Sequence, residues 1–155
     1  MSDQSMLRCS DQLFKGGRGM NVLVQDITIK ADGKWYFGQA EMFRRQILNI
    51  LAKNLHRKTD GSYYIKMEND ENPVIVEDVP YLATGIIDKE TPFKLVFHDL
   101  QEMVLNHELK LFFKGDVPYI TYKWDGDTRL SRGVYWKLSQ YFDFRGEEVF
   151  IVPPQ

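Results

Sequence analysis

Arg45 and Arg132 are the residues whose type and spacing first suggest chemistry. Arg45 precedes Ile47, Leu48, Leu51 and Leu55; Arg132 precedes Val134, Tyr135, Leu138 and Phe142. Both apolar series follow the helical period, so each arginine falls in the first turn of a helix. A cation there opposes the helix dipole by roughly a few tenths of a kcal/mol. Keeping one in both places implies an acceptor: a protein carboxylate, a backbone carbonyl or a bound anion, each of which suits the guanidinium fork. An internal salt bridge and an anionic ligand both remain open. Trp35, Tyr135 and His98 join the two arginines as candidate walls of a ligand-binding cleft.

Other chemistry finds less support. There is no G-x-S-x-G, no P-loop, no G-x-G-x-x-G after a strand and no C-x-x-C. His107-Glu108 does not continue to H-E-x-x-H, and His56, His98 and His107 fall in different expected elements. No metal site and no cofactor is expected. Cys9 lies in a polar arm, where a base and an oxyanion hole are hard to supply. Glu147 and Glu148 are neighbours on an expected strand, so their carboxylates point to opposite faces. No catalytic residue is assigned. Tyr63, Tyr64, Tyr119, Tyr122, Trp124 and Phe144 could stack on nucleobases, but strand aromatics more commonly form core and cross-strand pairs.

The elements that must position these groups show an internal echo. Residues 27–33 read Ile-Thr-Ile-Lys-Ala-Asp-Gly and residues 120–126 read Ile-Thr-Tyr-Lys-Trp-Asp-Gly. Each copy precedes an arginine-led helix and then a Gly-led strand, which suggests a duplicated strand–turn–helix–strand unit. Strands are expected over 21–30, 34–37, 62–67, 93–98, 108–114, 119–124 and 149–152. Helices are expected over 41–55 and 132–142, the second with Ser131 as N-cap. Residues 69–73 read as a loop. Pro80 lacks a ladder donor, so 74–87 is an edge strand, a bulged strand or two strands. Asp78-Val79-Pro80-Tyr81 recurs as Asp116-Val117-Pro118-Tyr119, a shared strand-entry bend.

Composition bounds the rest. The chain has 155 residues, 43% of them hydrophobic and 14% aromatic, enough for a core. Lys and Arg total 20 against 22 acids, giving a net charge of -2. That balance argues against general nucleic-acid binding. Residues 44–58 carry Lys and Arg without an acid, and residues 68–78 carry acids without a base, as two solvated surfaces of opposite sign do. A single cysteine forbids an intrachain disulfide and fits a reducing compartment. No apolar run approaches the ~20 residues of a membrane helix, and the N-terminus does not resemble a signal peptide. The expectation is a cytoplasmic protein without a membrane span.

Five motifs carry a family resemblance: Asp32-Gly33-Lys34-Trp35, the Arg45 helix, Asp60-Gly61-Ser62-Tyr63-Tyr64, Val76-Glu77-Asp78-Val79-Pro80-Tyr81, and Ser131-Arg132-Gly133-Val134-Tyr135. In this order, over residues 26–152, the chain resembles a bacterial family catalogued as domain of unknown function 1285. The resemblance implies an α+β fold with internal duplication and a pleckstrin-homology-like second half. It also implies a ligand site between the halves and a signalling role. Residues 67–73 depart from the family pattern, and Cys9 lies outside the match.

The expected organisation is a mobile arm over 1–20, a first α+β repeat over 21–90 and a second over 91–155. The expected function is a non-enzymatic module that binds a small anionic ligand or a peptide between the repeats. The alternatives are an enzyme with its active site in that cleft, and an interaction module using a sheet edge or the basic helix. Ligand identity, partner and oligomeric state are not encoded in any motif.

Overall fold

The computed structural model describes residues 26–154 and shows an α+β protein built of two sheets and two short helices. The arm expected over 1–20 lies outside the described residues. The chain divides into two compact units after Asp78. That point precedes the expected division at residue 90, because the strand beginning at Tyr81 pairs in parallel with residues 128–130.

The first unit holds β1 (Ile27–Ile29), β2 (Trp35–Phe37), β3 (Ala40–Glu41), helix α1 (Arg45–Lys53), β4 (Leu55–Arg57), β5 (Tyr63–Met67) and β6 (Asp70–Val76). Its sheet runs β3-β2-β1-β6-β5-β4. Two Asp-Gly turns act as the residue types require. Asp32 Oδ1 accepts the Lys34 N–H at 2.9 Å, and Asp60 Oδ1 accepts the Ser62 N–H at 2.9 Å. Gly33 and Gly61 sit at φ 90° and 93°, a region other residues seldom enter. Ile27, Ile29, Trp35, Met42, Leu48, Leu51 and Ile65 are fully buried.

Helix α1 starts at Arg45, later than expected, because Glu41 is paired with Tyr36 between β2 and β3. It buries Ile47, Leu48, Leu51 and Ala52, while Phe43 and Ile50, apolar residues within the span 41–55, face solvent. Its end is set by Asn54, whose Nδ2 donates to the Ile50 carbonyl at 2.7 Å. Leu55 is buried, but on β4. The expected loop at 69–73 is instead the start of β6. The chain turns at Glu68-Asn69, with Glu68 at φ 54°, and Met67 pairs Asp70. Pro73 is tolerated there because β6 meets β1 only from Val74 onward, so Pro73 has a partner on one side only.

The second unit holds β7 (Tyr81–Ile87), β8 (Phe93–Phe97), β9 (Glu102–Leu105), β10 (Leu109–Lys114), β11 (Val117–Ile120), β12 (Thr128–Leu130), helix α2 (Arg132–Leu138), a 3-10 turn (Ser139–Tyr141), β13 (Phe142–Arg145) and β14 (Glu148–Ile151). Its sheet runs β13-β14-β10-β11-β12-β7-β8-β9. Pro80 separates two strands, β6 and β7, which belong to different sheets. Phe93, Leu95 and Phe97 point inward as their alternation requires, and so do Leu109 and Leu111. Helix α2 packs against β7 and buries Val134 and Leu138. It stops at Leu138, short of the expected Phe142. The 3-10 turn redirects the chain so that Phe142 enters β13.

The paired Ile-Thr motifs sit differently in the two units. Ile27, Thr28 and Ile29 all lie in β1, but β11 ends at Ile120 and residues 121–127 form a loop. Both segments place a helix after an antiparallel pair, β1–β2 and β11–β12. The closing hairpins run in opposite senses. β5 is antiparallel to β6, which is parallel to β1, whereas β10 is antiparallel to both β11 and β14.

Candidate functional site

A concave surface of about 430 Å3 opens on the second unit. Three segments line it. Asp116, Val117 and Pro118 come from the β10–β11 turn and β11, Arg129 and Leu130 from β12, and Arg132, Tyr135 and Trp136 from α2.

Helix α2 is fixed at its start. The Ser131 Oγ accepts the Val134 N–H at 3.3 Å, and the Ser131 N–H donates to the Ala83 carbonyl of β7 at 3.0 Å. Arg132 is thereby the first helical residue, and Tyr135 and Trp136 lie one turn on, on the same face. β12 is fixed by Asp127, which is 2% exposed. Its Oδ1 accepts the Tyr122 N–H at 2.7 Å, and its Oδ2 accepts those of Lys123 and Trp124, each at 2.8 Å. The Thr128 hydroxyl donates to the same carboxylate at 3.0 Å. The loop so gathered sets the register Tyr119↔Arg129, which carries Arg129 to the site.

The site combines cations with aromatic walls. Arg132 is exposed, and among the described residues its guanidinium has no hydrogen bond or ion pair. Arg129 is half-buried and engaged with the protein itself. Tyr135 meets Phe113, Trp136 and Phe142 edge-on, at ring separations of 6.4, 5.5 and 5.4 Å. Trp136 remains 61% exposed. The charged groups of the lining are the guanidinium groups of Arg129 and Arg132 and the carboxylate of Asp116. Such a surface can hold and orient an anion whose apolar part lies on the rings.

Of the five residues expected at a ligand site, Arg132 and Tyr135 line this surface. Trp35 does not. It is 1% exposed within the first unit, where its ring fills the core beneath β2. Arg45 is exposed at the first position of α1, and its guanidinium has no hydrogen bond or ion pair among the described residues. His98 is half-buried just past β8, with its N–H donated to the Leu82 carbonyl at 2.9 Å, and is not part of the lining. Asp116, Arg129 and Trp136 were not anticipated. Strand pairing brings Asp116 and Arg129 to α2 from distant positions. Trp136 follows Tyr135 directly, so helical spacing from Arg132 would have found it.

The carboxyls with raised pKa lie elsewhere. Burial pushes Asp99 up, against hydrogen bonds from the Gln101 N–H and side chain and the charge of Lys123. Burial likewise pushes Asp127 up, against the N–H groups of Trp124, Tyr122 and Lys123. Both hold loops, and neither lines the concave surface. Among the described residues, no three His, Cys, Asp or Glu side chains gather as metal ligands.

No family model and no curated protein matches the chain. Solved structures do. A domain of unknown function 1285 family protein from Silicibacter pomeroyi DSS-3 superimposes with a TM-score of 0.63 over 79% of this chain and 72% of its own, at 14% identity. Another, from Shewanella baltica OS155, gives 0.62 over 77% of this chain and 94% of its own, at 18% identity. The chain has the fold of the domain of unknown function 1285 proteins. That likeness bears out the family resemblance at the level of the fold. Among the described residues, no helix is long and apolar enough to cross a membrane.

Proposed function

We propose that this protein is a non-enzymatic binding module that holds a small anionic ligand on the concave surface of its second unit. The observation that carries this reading is the Arg132 guanidinium. It opens α2, has no internal partner among the described residues, and lines the surface together with Tyr135 and Trp136. A cation left at a helix start against the dipole is compensated when an anion arrives. A single guanidinium without an internal partner among the described residues favours a monoanion such as a carboxylate over a phosphate dianion. The rings favour a ligand with an apolar body. A signalling role, and an internal duplication with a pleckstrin-homology-like second half, are the context that the family resemblance supplies for such a module.

The test is isothermal titration of the wild type and Arg132→Ala with a panel of aryl and alkyl carboxylates and matched phosphates. Carboxylates should bind the wild type, and the variant should lose that binding while remaining folded. Equal binding by the two proteins, or no binding of any anion to the wild type, overturns the reading.

A further inference from the structure

We infer that β13 is a self-pairing edge through which two copies of this chain join their eight-stranded sheets. Among the described residues, β13 pairs only with β14 and ends the sheet. The Val152 N–H donates to the Tyr141 carbonyl at 2.8 Å, so Tyr141 and Val152 form a hydrogen-bonded pair in the β13–β14 register. Antiparallel alternation then directs Asp143 and Arg145 toward β14, and turns the backbone groups of Phe142 and Phe144 outward. The Phe142 N–H is taken by the Ser139 carbonyl. Phe144 is left offering both an N–H and a C=O along the open edge.

The sequence of this edge is its own complement. Two β13 strands paired antiparallel about Phe144 exchange both Phe144 bonds on the two-fold axis. Within one chain Arg145 Nε donates to Asp143 Oδ2 at 2.7 Å, and its terminal nitrogens bond Glu108. Across the axis Asp143 of each copy also faces Arg145 of the other, and the two Phe144 rings meet on one face. Phe144 is 71% exposed and continues the aromatic row Trp136, Tyr135 and Phe142. The edge is short, at four residues, and carries Asp143 and Arg145, but it has no Pro, no bulge and no lysine to block pairing. The opposite edge, β9, has no such symmetry, because Glu102 has no cation within its strand to oppose it. Charge complementarity therefore selects a second copy of this chain as the occupant of β13.

Sedimentation velocity across a concentration series tests the inference. The wild type should shift from 18.2 kDa toward twice that mass. Phe144→Pro removes the outward N–H without touching a β14 bond, and should weaken association roughly tenfold or more. Asp143→Arg should also weaken it, by placing Arg against Arg. Asp143→Arg combined with Arg145→Asp and Glu108→Lys should restore it, because residue 145 then keeps an opposite charge both within its own chain and across the axis. In a Cys9→Ser background, Phe144→Cys should form an intermolecular disulfide under mild oxidation, since directly opposed residues lie about 5.5 Å apart between Cα atoms. Circular dichroism confirms that each variant is folded. A wild type that stays monomeric at every concentration overturns the inference, as does a dimer indifferent to Phe144→Pro and to the charge swap.

Discussion

The Asp127 carboxylate accepts the Trp124 N–H at 2.8 Å, and this bond closes the loop that carries β12 to the concave surface. The neighbouring Asp125-Gly126 pair is the conspicuous turn signal, yet the buried acid one residue later gathers the loop. Asp127→Ala leaves the N–H groups of Tyr122, Lys123 and Trp124 without their acceptor. Unfolding free energy should fall by about 3 kcal/mol, on the order of 1 kcal/mol for each orphaned donor. Chemical denaturation measures it. A loss below about 1 kcal/mol shows that water replaces the carboxylate and that the loop does not depend on it.

Ser131 begins α2, and its Oγ satisfies the Val134 N–H. Ser131→Ala should cost about 1 kcal/mol, and Ser131→Asp should retain most of the stability. Thermal melts of the three proteins decide this. Equal melting temperatures would mean that the Ser131 N–H bond to Ala83 fixes the helix start without the side chain.

The helices, the two Asp-Gly turns and the alternating strands β8 and β10 are legible because their signals are local. What stayed hidden depends on partners distant in sequence. β9 shows only Met103 and Leu105 on its inner face, and β12 is three residues long, too few to establish a period. Phe142 continues the helical spacing from Leu138, and only the 3-10 turn shows that it belongs to β13. The lining of the concave surface divides in the same way: Arg132 and Tyr135 share one helix face, while Asp116 and Arg129 arrive through the pairing of β10, β11 and β12.

Trp35 makes the same point about burial, because an aromatic on a short strand looks alike whether it lines a cleft or fills a core. At 1% exposure it belongs to the core. Trp35→Ala should destabilise the protein by about 3–5 kcal/mol through the cavity it leaves. Trp35→Phe should cost clearly less. A loss under about 1 kcal/mol for the alanine variant would place the ring at a surface instead.

Asp99 gives the stability a pH dependence of known sign. Burial holds its folded pKa above the ordinary 3.8, so the unfolded chain surrenders this proton first. Stability from this group is fully present below pH 3.8 and is lost as pH rises through the raised folded value. Asn at this position cannot ionise. The stability of Asp99→Asn relative to the wild type should therefore rise with pH across that window and then level off. Urea unfolding from about pH 3 to about pH 7 reads this directly. A difference that stays constant, or falls with pH, assigns Asp99 a folded pKa at or below its ordinary value.

Arg45 and Arg132 occupy equivalent helix positions but different surroundings, and the contrast separates a solvated cation from a binding one. Both are exposed, and neither guanidinium has a hydrogen bond or ion pair among the described residues. Neither alanine variant should lose more than about 0.5 kcal/mol of stability, and a small gain is expected where a cation no longer opposes the dipole. Ligand response should divide them. Only Arg132 lines the concave surface with Tyr135 and Trp136. With a carboxylate that raises the wild-type melting temperature, Arg45→Ala should keep the full shift and Arg132→Ala should lose it. Arg132→Lys should recover only part, because an ammonium cannot make the two-pronged contact of a guanidinium. Should Arg45→Ala abolish the shift and Arg132→Ala preserve it, the binding surface lies on the first unit and α2 is merely solvated.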